Sequence, residues 1–171
     1  MTEKPIVKEG IDYKINNYLP DYLIESLIKY STDKNDKDTQ TTSDPKRFAN
    51  KDAINEWLKK GRTIYTLENN GELLGIFWFG KKKIEIEKLE NIIPDNYQHT
   101  VAMRLYGNFR GKGLFKELTA KILSKYIESE NYDNTGFWGE SHNPAMIKVC
   151  SELGMKQISK IKIDTSIRSN S

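Results

Sequence analysis

TVAMRLYGNFRGKGLFKELTAKILSKYI, residues 100–127, reads as three pieces joined without a break. Thr100 to Tyr106 has the apolar and β-branched content of a strand. Gly107, Gly111 and Gly113 follow, with Arg110 and Lys112 set between them. From there Leu114, Phe115, Leu118, Ile122, Leu123, Tyr126 and Ile127 recur at helical spacing, with Lys116, Glu117, Lys121 and Lys125 on the opposite face, which predicts an amphipathic helix over about 113–128. A strand that ends in a basic glycine turn and opens directly into a helix has a physical use. Glycine leaves backbone N–H groups unobstructed, the helix N-terminus is the positive end of its dipole, and the two cations add charge, so a phosphate or pyrophosphate can be surrounded there. The spacing is neither the Walker sequence nor the dinucleotide fingerprint, which needs a third glycine. A plain strand-to-helix connection with basic surface residues has the same outward look.

Downstream, Gly136 to Ser141 reads as a short strand, and Asn143-Pro144 is a cap followed by a first-turn proline. The helix they open carries Ala145, Met146, Val149, Cys150 and Leu153, and Gly154 ends it. Ile158, Ile161 and Ile163 predict a last strand within 155–165, followed by a frayed tail over 166–171. Upstream, Thr63 to Glu68 and Leu73 to Phe79 form a hairpin around Asn69-Asn70-Gly71-Glu72. Lys81 to Glu90 alternates charge with Ile84, Ile86 and Leu89, a pattern that fits either an extension of the hairpin or a charged flap. Leu23, Ile24, Leu27 and Ile28 predict a helix over about 20–30, and Asn50 caps another that carries Ala53, Ile54, Trp57 and Leu58 and stops at Gly61. Between them, 31–46 has no aliphatic residue, which predicts a mobile loop.

The chain has 171 residues, the size of one domain with its own core. Its 27 basic and 24 acidic residues leave a net charge of +3, too small for net charge alone to attract a nucleic acid, so any polyanion contact is local. The single cysteine, Cys150, allows no internal disulfide, and Met1 to Gly10 lacks the pattern of a secretory signal, so the expectation is a soluble cytoplasmic protein. The longest apolar run, Leu73 to Phe79, is interrupted by Gly75 and falls far short of the ~20 residues of a membrane-spanning helix.

Residues 100–155 resemble the acetyl-CoA-binding core of the GNAT superfamily of N-acetyltransferases. The family's loop pattern falls on Arg110, Gly111, Lys112, Gly113, Leu114 and Phe115, where Phe115 stands in place of the usual small residue. The family's later pattern falls on Asn143, with Gly154 and Met155 at the end of the helix. The resemblance implies an α/β (α+β) fold: a central, mostly antiparallel mixed sheet, splayed at the cofactor site and flanked by about four helices. It implies that the strand over 100–106 parts from the one over 136–141 to admit the pantetheine of acetyl-CoA. Leu105 would then meet the cofactor through its backbone, Arg110 to Phe115 at the phosphates, and Asn143 near the pantetheine arm. The reading calls for no metal.

Acetyl transfer to an amine needs the free base. For a lysine-like amine of pKa ~10.4 this costs roughly 4.6 kcal/mol at neutrality, so a carboxylate or imidazole usually removes the proton. Glu140 and His142 lie at the end of the bordering strand and share a face if it continues. Glu140 is the first choice as base and His142 the second; a solvated strand-end carboxylate and a histidine preceding a cap are the structural alternatives. Many relatives place a Tyr acid where Cys150 stands; Cys150 is either that acid or a small filler, and Tyr106 and Tyr126 are spare acids or core residues. Trp78, Trp138, Phe77, Phe79 and Phe137 read as core, with one or two open to lining the acceptor pocket. The Lys81-Lys82-Lys83 run is a solvated strand end, or attracts an acidic acceptor or the 3′-phosphate of CoA. Asp33, Asp36, Asp38 and Asp44 suit a cationic acceptor if their loop orders. The acceptor stays open among polyamine, aminoglycoside, amino acid and protein N-terminus, as does a homodimer. Two other readings are a CoA-binding sensor or structural domain without catalysis and, ranked last, a small nucleic-acid-binding domain.

Overall fold

A computed structural model of the chain describes residues 6–8, 11–42, 44, 46–82, 96–141 and 143–158. Its strands are β1 (Ile6–Lys8), β2 (Ile11–Asn16), β3 (Thr63–Asn69), β4 (Glu72–Lys81), β5 (Tyr97–Leu105) and β6 (Gly136–Trp138), hydrogen-bonded in that order in a 6-stranded sheet. Every neighbouring pair is antiparallel except β5 and β6, which run parallel. The sheet is therefore mixed and mostly antiparallel, as expected. The sequence reading missed β1 and β2, although Tyr13 and Ile15 stand two apart, as residues on a strand's inward face do.

The helices are α1 (Ile24–Thr32), α2 (Lys37–Thr42), α3 (Lys51–Leu58), α4 (Leu114–Ile127) and α5 (Pro144–Glu152). Helix α3 starts where Asn50 accepts the Ala53 N–H at 2.8 Å. Helix α5 starts where Asn143 accepts the Ala145 N–H at 2.9 Å with Pro144 behind it. It ends in a Schellman motif, with the Met155 N–H on the Cys150 carbonyl, the Gly154 N–H on the Ser151 carbonyl, and Gly154 at φ +87°. Among the described residues no helix is long and apolar enough to cross a membrane.

The sheet carries a core on each face. Phe77, Phe79, Val101, Met103 and Leu105 pack with Leu114, Leu118, Ile122 and Tyr126 of α4. Leu73, Ile76 and Trp78 pack on the other face with Leu23 and Leu27 and with Ile54 and Trp57 of α3. This explains the unbroken burial of β4 from Leu73 to Phe79, a central strand covered on both sides. In the hairpin between β3 and β4, Asn70 and Gly71 hold φ +48° and +83°, the successive positive angles of a two-residue turn.

The expected mobile loop over 31–46 is ordered in its described part, which holds the end of α1 and all of α2. Its polar side chains do the work assigned elsewhere to apolar ones. Asp33 accepts the Asn35 N–H at 2.8 Å, Asp36 accepts the N–H and hydroxyl of Thr39 at 3.1 and 2.7 Å, and Gln40 donates to the carbonyls of Ser31 and Asp33. Counting aliphatic residues does not see local side-chain capping. The strand expected over 136–141 stops at Trp138, and Met155 to Ile158 form no strand. The remainder of the last expected strand, the frayed tail, residues 83–90 of the expected flap and His142 lie outside the described residues.

Candidate active site

Strands β5 and β6 are joined at one end only. Their register pairs Tyr97 with Gly136, His99 with Phe137 and Thr100 with Trp138, and stops there. Glycine makes the close approach feasible: a Cβ on Gly136 would lie 2.6 Å from the Tyr97 ring, and one on Gly139 would lie 2.8 Å from the Val101 carbonyl oxygen. Beyond this point β5 runs on to Leu105 without β6 beside it. The Tyr106 N–H bonds the Leu74 carbonyl of β4 at 2.9 Å. By antiparallel alternation, the backbone groups of Met103 and Leu105 point away from β4, along the gap.

A buried polar pillar closes the joined end. His99, fully buried, meets the Tyr126 hydroxyl through Nδ1 at 2.9 Å and Asp133 through Nε2 at 2.7 Å. Asp133 also accepts from Lys81 and from the Thr135 hydroxyl. Hydrogen bonds from Lys81, His99 and Thr135 hold the Asp133 carboxyl well below the usual range. Burial, with Asp133 nearby, pushes the Tyr126 phenol up to about 12. Rings of Phe79, Tyr132 and Phe137 pack around the pair. Tyr126 thus belongs to the pillar, and Tyr106 is buried in the opposite core with its hydroxyl 3.4 Å from Ser31. Lys81 is tied to Asp133, and Trp138 donates to the Lys82 carbonyl at 2.8 Å, which places that ring beside the end of β4.

The glycine turn lies past the open end of β5. Gly107, Gly111 and Gly113 all hold positive φ, at +48°, +74° and +69°, and a Cβ on any of them would meet open space. Gly113 is the N-cap of α4 and offers no side chain to the first turn. Helix geometry leaves the N–H groups of Leu114, Phe115 and Lys116 without intrahelical acceptors. The Phe115 ring does not plug the mouth: it packs on the core and stacks on Phe77 with centroids 6.1 Å apart. Lys112 is exposed, its ammonium 5.4 Å from the Phe109 ring centre. The glycine turn is therefore free of the Cβ atoms that would crowd it, and it carries the exposed Lys112.

Arg110 is engaged elsewhere. Its Nε donates to the Leu105 carbonyl at 2.7 Å, and its Nη1 and Nη2 form a two-pronged pair with Asp36 at 2.7 and 2.8 Å. Nη2 also donates to the Thr39 hydroxyl at 2.8 Å. Partial burial alone would raise the Asp36 carboxyl, but hydrogen bonds from Arg110 and Thr39 outweigh it and hold it at about 2. Arg110 is thus a clamp between α2 and the end of β5, not a free phosphate donor, and it occupies the Leu105 carbonyl. The sequence reading had both partners and no means of pairing them, because they stand far apart in the chain.

Glu140 is exposed and lies two residues past the end of β6. Asn143 spends its side-chain oxygen on the cap of α5 and takes the Ser141 hydroxyl oxygen on its own N–H at 3.1 Å. Cys150 is half-buried on α5, and burial pushes its thiol up. The structure therefore gathers Leu105 and Arg110 to Phe115 at one end of the gap, and carries Glu140 and Asn143 on the segment that leaves β6.

No family model matches the chain, and no curated protein matches it in sequence. In structure it is similar to an uncharacterized protein from Bacillus halodurans, at 12% identity over 94% of this chain and 83% of that one, with a TM-score of 0.66. It is similar to an N-acetyltransferase from Staphylococcus aureus Mu50, at 16% identity over 86% and 85%, TM-score 0.61. It is also similar to AAC(6')-Iy, solved with the bisubstrate analog CoA-S-monomethyl-acetylneamine, at 12% identity over 89% and 96%, TM-score 0.55. The chain shares its fold with these solved structures, two of which are acetyltransferases by name or by the acetylated analog they hold.

Proposed function

We propose that this chain is an N-acetyltransferase that moves the acetyl group of acetyl-CoA directly to a primary amine. One observation carries the reading. Pairing between β5 and β6 ends at Thr100, and past the end of β5 lies a glycine turn where a Cβ on Gly107, Gly111 or Gly113 would meet open space. The solved complex of AAC(6')-Iy with a CoA-based analog supports the choice of ligand for this fold.

The residues fit the donor. N–H groups from Gly111 to Phe115 surround its diphosphate, Lys112 adds charge, and the backbone of Met103 and Leu105 borders its pantetheine arm. Acetyl-CoA supplies a thioester, whose carbonyl carbon accepts the amine nitrogen and whose thiolate departs. Glu140 takes the proton from the attacking amine, directly or through water. Cys150, kept protonated by burial, is the protein's candidate donor to the thiolate; water is the other source. The product is an amide and free CoA.

Calorimetric titration with CoA tests the binding half, and thiol release across a panel of amines tests the chemical half. Glu140→Gln is expected to lower turnover by about 100-fold with CoA affinity unchanged, the scale of losing a general base. An unchanged rate removes Glu140 from the mechanism. Saturable CoA binding without thiol release from any amine points instead to a CoA sensor.

A further inference from the structure

Three aromatic rings meet edge to face on the side of the sheet opposite α4. Phe48, Trp57 and Trp78 have centroids 5.0, 5.6 and 6.0 Å apart with interplanar angles of 84°, 85° and 89°. Three arginines lie against them. The Arg104 guanidinium is 5.2 Å from the Phe48 centroid and 5.5 Å from that of Trp78, Arg47 is 5.4 Å from Trp78, and Arg62 is 5.0 Å from Trp57. The Arg62 side chain passes Gly80, 3.8 Å from where a Cβ would stand.

The cluster is short of acceptors. Trp57 Nε1, Arg62 Nη1 and Arg104 Nη1 are buried donors without a hydrogen-bond partner, and all three belong to this cluster. Trp57 itself is only 5% exposed. Among the described residues no carboxylate lies within ion-pair distance of Arg62 or Arg104. Ring faces compensate part of the cost of desolvating a guanidinium, but they do not meet the hydrogen-bond demand of its buried nitrogens. An anion does both.

The place matters as much as the charge. Along β5, His99, Val101, Met103 and Leu105 are buried against the α4 side, whereas Thr100, Ala102 and Arg104 are part-exposed on the other face. Ala102 faces Trp78 across the β4 pairing. Ala102 and Arg104 therefore sit on the stretch that β6 does not cover, beside the gap assigned above to the thioester arm. The acids expected to attract a cationic acceptor serve their own segment: Asp36 faces Arg110, Asp33 accepts from Asn35, Asp44 accepts from the Lys46 N–H, and Asp38 lies 3.8 Å from Arg110.

We infer that the acceptor site takes an amine that also carries an anionic group, a carboxylate or a phosphate, held by Arg104 and Arg62 with Trp57 Nε1. This inference rests on the acetyltransferase reading for its amine and on the arginine cluster for its anion. The anion binds at the cluster and the amine reaches toward the gap.

The test uses the full chain and paired probes: 2-aminoethyl phosphate against ethanolamine, and γ-aminobutyrate against butylamine. Binding is read by tryptophan fluorescence, since Trp57 and Trp78 lie in the cluster, with CoA at saturation to block the glycine cradle where CoA binds. At least one anionic probe is expected to saturate, with its neutral-tailed twin about tenfold weaker or more, the scale of a charge-assisted hydrogen bond. Arg104→Gln and Arg62→Gln should each weaken that probe about tenfold and leave the twin and CoA unchanged, while Arg104→Lys keeps part of the affinity. Thermal unfolding confirms that each variant folds, and Arg104→Lys serves as the readout if a Gln variant does not. A response to the phosphate alone or to the carboxylate alone identifies the anion. No saturation with either anionic probe, or equal binding of the twins, overturns the inference. Anion binding without thiol release from any amine leaves the anion site standing but retires the acetyltransferase reading and, with it, the amine; thiol release that favours the neutral-tailed amines keeps that reading and overturns the anion site.

Discussion

Gly113→Asp is expected to weaken CoA binding by about 100-fold, near 3 kcal/mol, because it sets a carboxylate in the mouth that a diphosphate must enter. Gly113 caps α4 at φ +69° with open space where a Cβ would stand. A Cβ there meets nothing in the protein, so the added carboxylate is expected to act chiefly on the ligand. The left-handed backbone costs a side chain about 1 kcal/mol, a fall in melting temperature of roughly 2–4 °C for a chain of this size. Titration calorimetry of the variant beside its melting curve separates the two effects. A variant that melts normally and binds CoA as the parent does would falsify the cradle.

Arg110→Ala is expected to lower stability by about 2–3 kcal/mol, less than the loss of a fully buried pair because the Arg110 side chain is 32% exposed. Asp36 loses its counter-charge, and the Thr39 hydroxyl and the Leu105 carbonyl lose a donor. Asp36→Ala should cost a similar amount, and the double variant little more than either, since both remove one interaction. Additive losses in chemical denaturation would show that the two residues act separately. The same pair predicts acid sensitivity. The Asp36 carboxyl sits at about 2 when folded, below the usual 3.8, so the unfolded chain binds the extra proton first. Its contribution is complete above about pH 4 and is lost as pH falls toward 2, on the order of 1–2 kcal/mol once solvent screening is discounted. Asp36→Asn should flatten the stability profile over that window.

Periodicity made the helices and the hairpin legible, since α4, α3 and the β3–β4 pair each announce themselves within about twenty residues of chain. The cradle was legible for the same reason: its glycines, its strand and its helix are contiguous. What the sequence concealed depends on distance. Arg110 looked like a phosphate ligand because nothing in its neighbourhood competes for it, and its partner Asp36 sits in a stretch whose polarity suggested no structure at all. Arg62, just before β3, and Arg104, near the end of β5, are one letter each, and they meet the same aromatic cluster only when β3, β4 and β5 lie side by side. The short strand β6 stops sooner than the sequence suggests because nothing in Gly139, Glu140 and Ser141 marks where pairing with β5 ends.

The Arg110 to Asp36 contact joins residues 74 apart in sequence. The rim of the cradle is thus stitched to a piece of chain made long before it, and neither half of the polypeptide can finish that rim alone. On a ribosome, the glycine turn reaches its final shape only after the early helices have emerged and waited for it. A fragment that begins at β5 would carry every glycine of the motif and still lack the stitch that holds its edge.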